Sequence, residues 1–260
     1  MLRLVIPISH VDSDLALKLL AHLSEEGDSA KGSPITLVLS RSLSGEADKF
    51  RKVAGEVSED VDVHVMTSED ERGWPHSANR VFQAAVQHLC DSGNKLSWLW
   101  LEADSTPLTR DWLSKITTEY ALQRKPYLGT TRPTILRDKD GVAHGTDGEH
   151  LIGVAVYPAD FYRRSLLWRY VSGGPFDVYC RWEICPVAHV SELIAHNWKS
   201  TNFRGDREKE LVWDGEDQTP LPANSVLHHG CKDGSLLDAV WKKPSAKKPK
   251  PPTIKLEEEE

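Results

Sequence analysis

The N-terminal half of the chain predicts an α/β fold, with a mostly parallel central sheet and helices on both faces. Three observations carry that expectation. Short apolar runs alternate with segments whose apolar residues recur at helical spacing. Most of the runs are apolar throughout, as strands covered from both sides must be. Polar or acidic residues close the runs abruptly, at the strand ends where such sheets hold their ligands.

LRLVIPIS (2–9) is the first buried strand, and Leu15, Leu19 and Leu23 then mark a helix. ITLVL (35–39) is a second strand, followed by Ala47, Phe50, Ala54 and Val57 on one helical face. VDVHV (61–65) alternates with period two and suits a strand nearer the edge. HSANRVFQAAVQHL (76–89) stacks Phe82, Ala85, Val86 and Leu89 as a helix. SWLWLEAD (97–104) is the most hydrophobic strand and ends in two carboxylates. Ser105 or Thr106 is expected to cap the next helix, with Pro107 in its first turn and Trp112, Leu113, Ile116 and Tyr120 buried. Beyond it, LIGVAVYP (151–158) reads as a strand, 159–170 as helical, and Gly173-Gly174-Pro175 as a break before FDVYCRWEI (176–184). A polar loop over 204–224 and VLHHGCKDG (226–234) complete a folded part spanning residues 1–241.

Composition narrows the class. The chain has 260 residues, 39% hydrophobic and 27% charged, which fits one globular domain and excludes a coiled coil or wholesale disorder. Residues 242–255 carry six lysines and no acid, and EEEE follows, so 242–260 is expected to be a disordered basic tail with an acidic end. The net charge is −7, about −9 over residues 1–241, and so acidic a body argues against a broad basic nucleic-acid surface. No apolar run spans a bilayer and MLRLVIPISHVDSD lacks the pattern of a secretory signal. With four scattered cysteines, the expectation is a cytoplasmic protein with reduced thiols. Neither a dinucleotide-binding G-x-G-x-x-G, a P-loop nor a G-x-S-x-G elbow is present.

The chemistry concentrates on Glu102 and Asp104. Residues i and i+2 of a strand face one way, so both carboxylates can converge on one hard divalent cation such as manganese or magnesium. A metal there would neutralise a diphosphate and stabilise it as a leaving group. The plain alternative is an Asp that caps a helix beside a solvated Glu. Trp98, Trp100 and Trp112 sit in core patterns, whereas Trp74, Trp182 and Trp198 are placed to stack on a sugar or base. Cys180 and Cys185 suit small buried hydrophobes better than zinc ligands.

The order of these segments resembles that of nucleotide-sugar glycosyltransferases of the GT-A fold, over roughly residues 1–235. PISHVDSD lies where that family places its nucleotide-binding loop, and DERGWPHSANRVFQAAV (70–86) is similar to its Asn-containing stretch before the metal motif. LWLEADSTPLTRDWL (99–113) resembles the D-x-D strand end, with Glu102 replacing the first Asp. GEHLIGVAVYP (148–158) resembles the segment that meets donor sugar and acceptor, FDVYCRWEI the later acidic motif, and HHG (228–230) the metal-binding histidine. The resemblance implies a nucleotide diphosphate sugar donor, most often UDP-linked. It implies donor-binding roles for His10, Asp12, Asn79, Glu102 and Asp104, and a metal on Asp104 with His228 or His229. Asp177 and Glu183 become rival bases, with Glu183 slightly preferred. The plain account of Asp12 and Ser13 is capping of the first helix. Two rivals remain, a sugar nucleotidyltransferase and a non-catalytic binding module of the same fold. The acceptor is open, and the lysine-rich tail admits DNA with hydroxymethylated bases.

Overall fold

A computed structural model of the chain describes residues 1–68, 72–137, 143–171, 174–196 and 223–240. Trp198, most of the 204–224 loop and the 242–260 tail lie outside the described residues. The expected alternation is present: β1 (Arg3–Ile8), α1 (Ser13–Leu23), β2 (Ile35–Leu39), α2 (Ala47–Gly55), β3 (Val61–Val65), α3 (His76–Asp91) and β4 (Trp98–Trp100) follow in order. After them come β5 (Ser105–Pro107), α4 (Trp112–Gln123), and the long strands β6 (Tyr127–Arg137) and β7 (Ala143–Tyr157). Short helices α5 (Phe161–Arg164), α6 (Phe176–Tyr179) and α7 (Arg181–Ile184) lead to β8 (Ala188–Val190), β9 (Ile194–His196), β10 (Leu227–His229) and α8 (Ser235–Val240).

Seven strands form the main sheet in the order β3-β2-β1-β4-β7-β6-β8, with β3 at the edge as its alternating pattern predicts. Four of its pairings are parallel, and β7 runs antiparallel to both β4 and β6. Strand alternation divides the core between the two faces. Leu4, Ile6, Ile8, Leu37 and Leu99 meet α1, α2 and α4 through Leu19, Phe50, Trp112 and Ile116. Val5, Val38, Trp98 and Trp100 meet α3 on the other face through Phe82, Ala85 and Val86. Helices on both faces leave only strand ends and edges for function.

One expectation fails. Ser105, Thr106 and Pro107 do not start a helix; they form β5, antiparallel to β10 in a second sheet of order β5-β10-β9. The following helix begins at Trp112, after Asp111. The reason is long-range: the backbone of these three residues is held extended by antiparallel pairing with β10. That pairing matters, because its register sets His229 opposite Ser105 and beside the end of β4.

Candidate active site

Beyond Trp100 the chain leaves the sheet in a turn in which Ser105 N donates to Glu102 O at 2.9 Å. Glu102 and Asp104 therefore converge through a turn, not through the strand alternation that the sequence suggests. His229 arrives from β10, with Nε2 3.1 Å from Glu102 Oε2 and 3.4 Å from Asp104 Oδ1. Ligand atoms of these three residues all lie within 4.8 Å of one another. Gly230 then takes a φ of 114°, in the left-handed region that glycine adopts without strain. The reversal lets Gly230 N and Cys231 N donate to Asp104 O and brings Lys232 Nζ to 2.7 Å from Asp104 Oδ2.

The charges explain the proton states. Burial penalises the Asp104 carboxylate, but Lys232 and His229 outweigh it and hold the carboxyl far below the usual range. Glu102 is lowered in the same way, by His229 against burial and Asp104. Burial would also discharge His229, yet Asp104 and Glu102 raise it to about 9. His196 is buried and driven towards neutrality, and its Nδ1 lies 3.0 Å from His229 Nδ1. With a cation in place of its Nε2 proton, His229 would donate from Nδ1 to His196 and turn its Nε2 lone pair to the site, the tautomer a metal ligand needs. Two carboxylates and an imidazole converging on one point fit a hard or borderline divalent cation.

The alternatives left open in the sequence divide clearly. His229 faces the carboxylates; His228, its neighbour on the strand, is buried as a neutral imidazole, lowered by burial to about 4, and is not among the three clustered ligands. Asp12 does not cap α1 with its side chain; it accepts from Ser9 Oγ at 2.7 Å. Burial raises its pKa, while Ser9 and Lys232 lower it and Asp104 and Glu102 add to the rise. His10 is exposed in the turn after β1, and only its backbone oxygen has a described bond, from Ser13 Oγ.

Asp177 and Glu183 fall on two separate short helices, α6 and α7, and their carboxylates go to different partners. Phe176 stacks on Phe82 with ring centres 3.7 Å apart and packs over Gly153. Asn79 is buried and holds the preceding turn by donating from Nδ2 to Gly174 O at 2.8 Å. These contacts fix Asp177, whose Oδ1 accepts from Val178 N at 2.8 Å and whose charge is felt by Glu102 and His229. Burial pushes its carboxyl up to about 6. The Glu183 carboxylate is occupied elsewhere: it accepts from Ser165 Oγ and from the backbone N–H groups of Leu166 and Leu167. The structure thus brings Asp177 to the cluster and does not bring Glu183.

Lys232, His196, Ser9 and Gly153 had no signal in motif order. For Lys232, the one local signal is its place two residues after HHG, beyond the turn that Gly230 permits. A side chain at Gly153 would begin 2.8 Å from Glu102 Oε1 and 3.4 Å from Phe176, so the glycine makes room for both. One cleft of about 610 Å³, lined by Lys115, Glu119, His189, Glu192 and Asn224 among others, does not include the cluster.

No family model matches the chain, and no curated protein sequence matches it. Among solved structures it is similar to S. aureus TarS residues 1–349, at 9% identity and a TM-score of 0.41. Structures of the same protein with UDP and with UDP-GlcNAc align at 8% identity and a TM-score of 0.39. The alignments cover 62–63% of this chain and 47–48% of those chains, about half their length. Likeness at that level carries nothing about donor or acceptor.

Proposed function

We propose that the chain is a metal-dependent glycosyltransferase of GT-A type that uses a nucleotide diphosphate sugar, with UDP favoured, and acts in the cytoplasm. One observation carries the reading. Glu102, Asp104 and His229 converge beside Lys232 at the carboxyl end of a parallel strand, with Asp177 close enough for Glu102 and His229 to act on its charge. A divalent cation held by the three ligands would supply Lewis-acid stabilisation of the diphosphate. Lys232 adds a cation for the same phosphates, and Asp12 and Ser9 border the donor side. Asp177 takes the proton from the acceptor hydroxyl as its oxygen bonds to the anomeric carbon. The bond from that carbon to the phosphate oxygen breaks, and the nucleoside diphosphate leaves. Half-buried and ionised above about pH 6, Asp177 has the basicity this step needs.

The nucleotidyltransferase rival would release pyrophosphate from a nucleotide triphosphate, and a binding module would release neither product. The Gly-rich basic N-terminal loop usual in a nucleotidyltransferase is missing at PISHVDSD. The test is a screen of nucleotide sugars for free nucleoside diphosphate, with and without manganese. Turnover is expected with metal only, and Asp104→Asn should abolish it along with metal-dependent UDP binding in calorimetry. Full activity of the wild type in excess chelator would remove the metal from the reading. DNA with hydroxymethylated bases is one acceptor to include; no described helix is long and apolar enough to cross a membrane.

A further inference from the structure

Trp182 is a large apolar side chain left 61% exposed in α7, five residues beyond Asp177. Its position is not loose. The Arg181 guanidinium lies 4.6 Å from the indole centre and is itself fixed by Val178 O at 2.7 Å and by an ion pair with Asp147. On another side, the indole Cη2 lies 3.8 Å from where a side chain at Gly148 would begin, so the ring edge sits beside that strand. An indole held on the protein while still exposed loses little entropy when a flat apolar ligand stacks on it.

We propose that Trp182 is the stacking floor of an outer acceptor subsite for an uncharged pyranose ring. This rests on the transferase reading for its role, since Phe176 and Trp182 lie over Gly153 and Gly148 of the same strand. Gly148 and Gly153 are five residues apart on β7, so Trp182 lies further along that strand than Phe176 and the neighbouring Asp177. That position suits a second ring of an acceptor longer than one sugar. Charge selects the ligand class. The guanidinium beside the ring is already taken by Asp147, while Glu149 and Thr146 stand exposed on the neighbouring strand. Carboxylates and a hydroxyl suit the hydroxyls of a neutral sugar and repel a phosphate backbone.

The experiment probes a glycan array, then cellotetraose, maltotetraose and chitotetraose by calorimetry, with the wild type, Trp182→Ala and Trp182→Phe. The wild type is expected to bind at least one neutral oligosaccharide. Trp182→Ala should weaken that binding by about tenfold, which corresponds to about 1.4 kcal/mol, and Trp182→Phe should restore most of it. Manganese-dependent UDP binding should be equal in all three proteins. Equal glycan affinity in the wild type and Trp182→Ala would overturn the subsite. So would failure of every neutral glycan to bind, or binding confined to hydroxymethylated duplex DNA. If glycan binding depends on Trp182 but UDP does not bind at all, the subsite stands and the transferase reading fails.

Discussion

At Gly153 the absence of a side chain is a statement about Glu102. Adding a methyl there places a carbon 2.8 Å from Glu102 Oε1, and that oxygen is the mobile end of a side chain that also accepts from Trp100 Nε1 at 3.2 Å. The cheapest relief is to swing the carboxylate, which leaves the fold nearly intact and spoils the ligand geometry. Gly153→Ala should therefore stay at the low end of the roughly 1–3 kcal/mol that overpacking costs, because the crowded neighbour can yield. Metal-dependent UDP binding should fall by roughly 10- to 100-fold, the usual effect of disturbing a ligand's support. Chemical denaturation paired with calorimetry checks both. Unchanged affinity would mean that Glu102 does not contact the metal, leaving Asp104 and His229 to hold it.

At the scale of elements, α6 and α7 carry two acids six residues apart to different partners. Asp177 faces the cluster, and Glu183 turns back to hold Ser165, Leu166 and Leu167. The preference for Glu183 as base followed motif position, which knows nothing of where the carboxylate finds donors. Asp177→Asn should lower turnover by roughly 10²- to 10⁴-fold while nucleotide-sugar binding persists, and it should remove an acid limb near pH 6 from the rate profile. Glu183→Ala should instead keep turnover within a few-fold and lose roughly 1–3 kcal/mol of stability, because it strips partners from a hydroxyl and backbone donors. If Glu183→Ala, still folded, lost turnover as Asp177→Asn does, the assignments would reverse. The strands and helices up to β4 were legible because each carries its own period and its own buried face. β5 was not, because STP has no period and its partner on β10 lies far along the chain. The same distance hides the site: Glu102 and His229 are 127 residues apart, and only motif order, not local pattern, suggested that they meet.

Over the whole molecule, buried histidines pull stability in opposite directions as pH changes. His22, His196 and His228 are buried with pKa values lowered first of all by desolvation, His22 and His228 to about 4. Each is neutral when folded yet takes a proton near pH 6.5 when unfolded, so each contributes nothing at alkaline pH and destabilises as pH falls from about 6.5 towards 4. His229 has the opposite sign. Held at about 9, it stabilises the fold fully below the unfolded value and loses that contribution as pH rises through 9. Asp177 also opposes the neutral histidines, since protonation near pH 6 relieves its buried charge. Total stability mixes these effects, so the measurement must isolate one. His22 is the suitable group, because it lies on α1 with Asp28 and Glu25 as its described acidic neighbours and none of the metal ligands. Urea midpoints of the wild type and His22→Gln, both in chelator, should be compared at pH 7.5 and 5.5. The wild type should lose about 1 kcal/mol more than the variant over that interval, the linkage expected for a group moved from 6.5 to about 4. A pH dependence equal in both proteins would show that His22 takes up its proton in the folded state as it does unfolded, with Asp28 and Glu25 offsetting desolvation.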